Sequence, residues 1–413
     1  MATYYARKAA NIDANDVWAT TPSGAAGAVT FASGDVLVAN SFAVTVNVTT
    51  NLGATGEVRN DTTGGAANGG SFSLSNGITL TANIISGTAA STSCATLAST
   101  ASATIVGNIT GGPAGGSSSH GLTHSGTGTL TVTGNVTGGA GTTCRGVSIT
   151  SSGATVITGA VTGGSGTTAI GVVCGSSGPL TVTGNVTGGS AANAHGANVT
   201  SSSTASITGT ATGGAGTSIH GIAVESSGAT TLTGTAVGNV GNGFVVVGSG
   251  TGANTVTRAK GGPSSTSGVG VSQSGNGVVS IQEAEWGDLG ASPTSGAIRF
   301  VSNTSNVALI YIPSAAKKIL VDANASNVMP AANNVRSGVV YNGGNSTGTC
   351  AVPGAASVLV GVAVDATVGT AAVGSADIEA GCAAALSAFS SGRLANVATV
   401  ASTGQQIADA VTA

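Results

Sequence analysis

The sequence predicts an all-β chain whose body is a right-handed parallel β-helix. Three observations predict it: a repeat of about 25 residues, a period-two alternation inside each repeat, and glycine pairs where the chain must turn. The repeats begin TLTANIIS, TIVGNITG, TVTGNVTG, VITGAVTG, TVTGNVTG, SITGTATG and TLTGTAVG, with first residues Thr79, Thr104, Thr131, Val156, Thr181, Ser206 and Thr231. Successive starts are 25 residues apart, except for one step of 27. A fixed period of this size marks a solenoid, in which each repeat covers the core of the next.

Each repeat reads as corner, strand, corner, strand. Its second and sixth residues are apolar: Leu80 and Ile84, Ile105 and Ile109, Val132 and Val136, Ile157 and Val161, Val182 and Val186. Thr and Asn fill most of the positions between them. That alternation is the signature of a half-buried strand. The fourth residue is glycine from Gly107 to Gly234, which allows a bend or a bulky neighbour. Gly-Gly pairs at 111–112, 138–139, 163–164, 188–189 and 213–214 supply a corner. A second strand follows, as in Val147-Ser148-Ile149 and Ile222-Ala223-Val224. Ser-Ser-Gly turns at 151–153, 176–178 and 226–228 close the coil. A helical solenoid is excluded by the abundance of Gly and Thr and by the absence of a 3.6-residue stripe. Handedness follows from the right-handed rule for parallel crossovers.

Four regions differ in texture. Residues 1–75 hold Tyr4, Tyr5, Trp18, Phe31, Phe42 and Phe72 and predict an N-terminal β cap or attachment region. Residues 76–280 are the solenoid. Residues 281–335, with Trp286, Phe300 and the run Val307–Pro313, predict terminal coils or a cap. Residues 336–413 predict a small β plus α-helical interaction region. There, Ile378, Cys382, Leu386 and Phe389 form one helical stripe, and Thr403-Gly-Gln-Gln406 reads as a capping box for a final helix to Val411.

Composition narrows the function classes. With 41% hydrophobic and 6% charged residues among 413, the chain is the reverse of a disordered one. A net charge of −3 gives no electrostatic footprint for nucleic acid or an anionic membrane. No 18-residue apolar run predicts membrane insertion, and the opening residues lack the apolar core of a signal peptide. The five cysteines, Cys94, Cys144, Cys174, Cys350 and Cys382, are odd in number and have no metal spacing. Cys174 takes the slot of Ile149, Val199 and Val224, so it reads as a small buried hydrophobe. The chain reads as one folded in a reducing cytoplasm.

The solenoid is poor in chemistry. Between residues 79 and 255 the only acid is Glu225, and the only Lys or Arg is Arg145. Sugar cleavage needs paired carboxylates, so no catalytic residue is assigned. No aromatic stands between Phe72 and Phe244 to stack on a sugar. No cofactor or metal site is assigned either; calcium-binding repeats would need Asp where none occurs. Glu283, Glu285 and Asp288 read as a solvated acidic turn.

Two outward ladders remain as candidate surfaces. Thr131 and Thr133, Thr181 and Thr183, and Thr231 and Thr233 form Thr-x-Thr pairs, matched by Thr79 and Thr81 and interrupted by Val106 and Val156. Such an array resembles the ice-binding face of some antifreeze solenoids, and Thr is also the ordinary soluble β-former. His120, His195 and His220 share one repeat position, with Arg145 and Ile170 between them in the stack. Stacking of His195 on His220 allows a metal-binding or pH-sensitive pair; the plainer reading is an outward corner residue that touches a neighbouring subunit.

The opening MATYYARKAANIDANDVW resembles the first strand and turn of bacteriophage-encoded β-helix proteins. The segments RSGVVYNGGNSTGTCAVP and RLANVATVASTGQQIADAV resemble C-terminal segments of tail-fibre and other virion proteins of bacteriophages. The resemblance implies a non-enzymatic virion structural protein of the fibre, spike or capsid-decoration type. It would be a homotrimer, joined at one end to other virion proteins, assembled in the host cytoplasm and facing a host-surface receptor. A surface adhesin or self-assembling filament subunit, an ice-binding solenoid and a polysaccharide-degrading tailspike are the alternatives.

Overall fold

The computed structural model describes residues 1–60, 71–86, 95–97, 102–112, 118–190, 193–216, 219–247, 250–263, 268–275 and 277–285. Beyond these it describes short segments at 298–300, 308–311, 319–322, 338–341, 346–347, 349–350, 363–364, 367–368 and 378–388. Trp286, Asp288, Phe389 and the Thr403–Gln406 capping box lie outside the described residues.

The chain divides into Met1–Val328 and Met329–Ala413. The first unit is a parallel β-solenoid of two large sheets, one of 22 strands and one of 12. Each regular coil gives two strands to the larger sheet and one to the smaller. Leu130–Thr133 and Val136–Thr137 lie in the first, and Val147–Ile149 in the second. The register is the one that the repeat predicts. Thr79, Thr104, Thr131, Val156, Thr181, Ser206 and Thr231 are successive ladder partners. The alternation also lands as expected, because Leu80, Ile105, Val132, Ile157, Val182 and Ile207 are all fully buried in one continuous core. Cys174 pairs between Ile149 and Val199 and is fully buried, and burial pushes its thiol up to about 12.

The fourth-position glycines do more than make room. Gly107, Gly134, Gly159, Gly184, Gly209 and Gly234 have φ between +140° and +151°. A Cβ at any of them would run into a backbone carbonyl of the coil before. The backbone therefore bends at this position in every coil from Gly107 to Gly234 and packs directly on the neighbouring backbone.

Stacking extends further than the repeat. Within residues 1–75, expected as an N-terminal β cap or attachment region, Thr3–Ala6, Val36–Val38 and Glu57–Arg59 follow one another as parallel neighbours and lead into Asn83–Ile85. Ala10–Asn11, Ala43–Val46 and Ser71–Leu74 begin the smaller sheet in the same way. Their inward residues Leu37, Val44, Val46 and Val58 are fully buried. Parity of inward and outward residues suffices for stacking even where the spacing varies. The cap itself is smaller: Trp18–Ala19 lies antiparallel along Thr3–Ala6. Trp18 is 2% exposed, donates Nε1–H to the Ile12 carbonyl at 2.7 Å and meets the edge of Phe31. At the other end Ile319–Asp322 lies antiparallel along Ala308–Tyr311. Both antiparallel strands lie over the last parallel strands of the larger sheet; among the described residues the smaller sheet ends at Ala10–Asn11 and Ile298–Phe300 without one.

Glu283 and Glu285, expected in a turn, sit in the strand Val278–Glu285. Glu283 forms an ion pair with Arg258 at 3.5 Å, and Glu285 is the ladder partner of Lys260. In the second unit the described elements are two antiparallel strand pairs, Val340–Tyr341 with Ser346–Thr347 and Ala363–Val364 with Thr367–Val368, and a helix at 378–388. The helix carries Ile378, Cys382 and Leu386 of the predicted stripe, all of them exposed.

Candidate functional site: the outward ladders

The threonine ladder forms as a continuous surface row. Thr133, Thr158, Thr183, Thr208 and Thr233 are successive partners and all exposed. The parallel row is less uniform: Thr181 and Ser206 are exposed, whereas Thr131, Val156 and Thr231 are half-buried. Ladder spacing sets these hydroxyls at about 4.8 Å intervals along the stack.

A second row, not singled out from the sequence, runs beside it. The Oδ1 of Asn83 accepts the backbone N–H of Asn108 at 3.0 Å, and the Oδ1 of Asn108 accepts that of Asn135 at 2.9 Å. Asn135 does the same for Ala160 at 2.8 Å, and Asn185 for Thr210 at 2.9 Å. At these four bends the asparagine of the coil before accepts the backbone donor that follows the bend. The signal lay in the fifth residue of TVTGN and its relatives, at the 25-to-27-residue spacing.

The histidines perform the same task at another corner. The Nδ1 of His120 accepts the N–H of Arg145 at 3.3 Å. His195 accepts that of His220 at 3.1 Å, and His220 that of Asn242 at 3.1 Å. Asn242 continues the series by accepting the N–H of Val269 at 3.2 Å. The rings of His195 and His220 stack with centroids 5.0 Å apart and planes 2° from parallel. An imidazole that accepts at Nδ1 carries its proton on Nε2. Two parallel rings at this spacing cannot both direct a nitrogen at one metal ion held at about 2.0–2.1 Å. Burial pushes His120 down to about 4, with the Arg145 charge adding to it. His220 is likewise pushed down to about 4 by burial and then by His195, and burial lowers His195. Arg145, between the histidines in sequence, donates from Nη1 to Ser148 Oγ at 3.0 Å.

His124 belongs elsewhere. It is fully buried on the inward side of Leu122–His124, and its Nδ1 lies 2.8 Å from Thr155 Oγ1. It is a core side chain in the slot that Ile149 takes one coil later. The Gly-Gly corners align into an open groove of about 860 Å³, lined by Thr137, Thr162, Thr187 and Thr212 among others and, among the described residues, by no titratable side chain. Among the described residues no group of three His, Cys, Asp or Glu could hold a metal.

Fold and surface together define a parallel β-solenoid whose outward rows complete the hydrogen bonding of the backbone and present hydroxyls to solvent. No family model, no curated protein and no solved structure matches the chain.

Proposed function

We propose that this chain is a non-enzymatic structural protein of a bacteriophage particle, a fibre, spike or capsid decoration built as a β-solenoid. In this reading it self-associates as a homotrimer, joins other virion proteins at one end and presents the remainder toward a host-surface receptor. It engages neither nucleic acid nor the membrane interior, and it is assembled in the host cytoplasm before it reaches the virion.

The observation that carries the reading is the continuous parallel ladder of the larger sheet, with a short antiparallel strand at each end. Outward side chains at the bends complete the backbone of the next coil, a use of sequence suited to rigidity. The neutral groove and the Thr, Ser and Asn rows present hydroxyls and amides, which suit a surface that meets solvent and further copies of itself. The two terminal resemblances supply the particle.

Purified phage particles from a host that expresses the chain test the proposal by mass spectrometry and native mass. The chain is expected in the particle at a copy number divisible by three. Particles without it overturn the virion reading, and long polymers of the isolated chain under the electron microscope would move the filament alternative ahead.

A further inference from the structure

The histidine corner differs from the asparagine corner in one chemical respect: its acceptors can be protonated. We propose that His120, His195 and His220 form an acid-labile latch between coils, closed while the imidazoles are neutral and released when they gain a proton.

The geometry makes the release specific. Each Nδ1 faces a backbone N–H of the next coil, at 3.1–3.3 Å. A proton on Nδ1 turns the acceptor into a donor that faces another donor, so the hydrogen bond is lost and the amide is left without a partner. In the His195–His220 stack, double protonation also sets two parallel cations 5.0 Å apart. The backbone of Asn242 favours protonated His220, but burial and the neighbouring His195 outweigh it. The groups flanking these rings are Arg145 beside His120, the apolar Ile170 between Arg145 and His195, and Ala194 and Ile219 just before His195 and His220. On the following coil the backbone of Lys260 packs against Gly243, next to Asn242. The sole carboxylate between residues 79 and 255 is Glu225, and it follows the strand Ile222–Val224 at the opposite end from His220. The one fixed charge that acts on these rings is Arg145, and it opposes imidazolium at His120.

The sign follows from the direction of the shifts. Burial places the folded-state values of these histidines below the ordinary 6.5, with His120 and His220 at about 4. Their contribution to stability is complete above about pH 6.5 and is lost as the pH falls toward 4. The asparagines do not titrate, so the other corner keeps its bonds throughout. The device gives a solenoid that loosens along one edge as the pH approaches about 4 while its core and opposite edge hold.

The experiment compares the full chain with His195→Asn/His220→Asn. Asn242 already does this work in the same column, so the variant retains an acceptor. The thermal midpoint of the native protein is expected to fall between about pH 6.5 and about pH 4.5, and that of the variant to change less across the same window. Hydrogen exchange sharpens the test. After correction for intrinsic rates, the amides of His220 and Asn242 should lose protection at the acidic end, whereas those of Asn135 and Ala160 should keep theirs. Equal midpoint losses in both proteins, or equal changes in protection at the two corners, overturn the proposal.

Discussion

Residues 3–74 and residues 79–237 build the same two sheets by different means. In the second stretch the ladder steps are regular, with Thr131, Val156 and Thr181 each 25 residues from the next. In the first, Thr3 pairs with Val36, Val36 with Glu57 and Glu57 with Asn83, steps of 33, 21 and 26 residues. The difference teaches that stacking does not require a repeat. It requires an inward apolar residue at every second strand position and a neighbour to accept the backbone hydrogen bonds. Extra residues leave at corners, where doubling a loop costs only about 0.6 kcal/mol of closure entropy.

If the two stretches are equivalent, a charge in either core should be equally destructive. Leu37 and Val182 are both fully buried. Val182→Asp or Leu37→Asp strands an unpaired carboxylate in an apolar column, a loss on the order of 5 kcal/mol or more. Both variants are expected to fail to give soluble protein with native circular dichroism. Tolerance of Leu37→Asp alone would break the comparison and make the first stretch a separable cap.

The next effect separates the two stretches. Gly184 has φ +149° and lies against the Gly159 carbonyl, a conformation repeated in six coils. Gly184→Ala adds backbone strain of about 1–3 kcal/mol to a steric conflict with that carbonyl. Denaturant titration should show the midpoint drop. The first stretch has positive φ at Gly34 and Gly53 and also at two non-glycine residues, Asn40 at 52° and Ser41 at 71°. Asn40→Gly is therefore expected to change stability far less than Gly184→Ala.

These contrasts account for what the sequence made legible. Register and core parity between Thr79 and Val237 could be read because the same strand positions recur at constant spacing. The first coils could not, because their spacing drifts and their inward residues recur at no common interval. Of the surface, the Thr rows and the stacked histidines were visible as recurring letters. The roles of Asn83, Asn108, Asn135 and Asn185 were not, since the need for an acceptor arises from the bend at the preceding glycine. That His124 is a core residue depends on strand parity at Leu122, which the repeat of apolar letters does not mark.

Acid sharpens the comparison from the other side. Asp35 is 2% exposed and accepts the N–H of Ala2 at 2.7 Å and that of Ala32 at 2.8 Å. The bond from Ala2, followed by that from Ala32, holds its carboxyl below 3.8 against the opposing effect of burial. Its folded value is depressed, so its contribution is present above about pH 3.8 and lost as the pH falls through the folded value. Asp35→Asn should cost about 1–3 kcal/mol at neutral pH, as for a hydrogen bond to a charged group. It should also flatten the stability profile below pH 4, in a range distinct from that of the histidine corner. A profile identical to the native one would show that the carboxylate contributes nothing as an ion.

The regular stretch also predicts a smaller loss at its own corner. Asn135→Ala removes the acceptor for Ala160 while leaving the core intact. About 0.5–1.5 kcal/mol should follow, with faster exchange at the Ala160 amide. No change in that amide would mean that solvent serves it equally well.

The smallest effect on stability is the most informative about assembly. Thr183 is exposed and its neighbour Val182 fully buried, one residue apart on the same strand. In an isolated chain Thr183→Asp should alter stability by no more than about 0.5 kcal/mol, because the carboxylate projects into water. In a trimer packed through the threonine rows, three such carboxylates would meet across the axis and repel. The same substitution would then leave circular dichroism unchanged and lower the native mass measured by light scattering. Retention of both fold and mass would place the threonine rows in solvent and any subunit contact elsewhere on the chain. Loss of the fold would contradict the register itself, since only an inward residue at 183 could produce it.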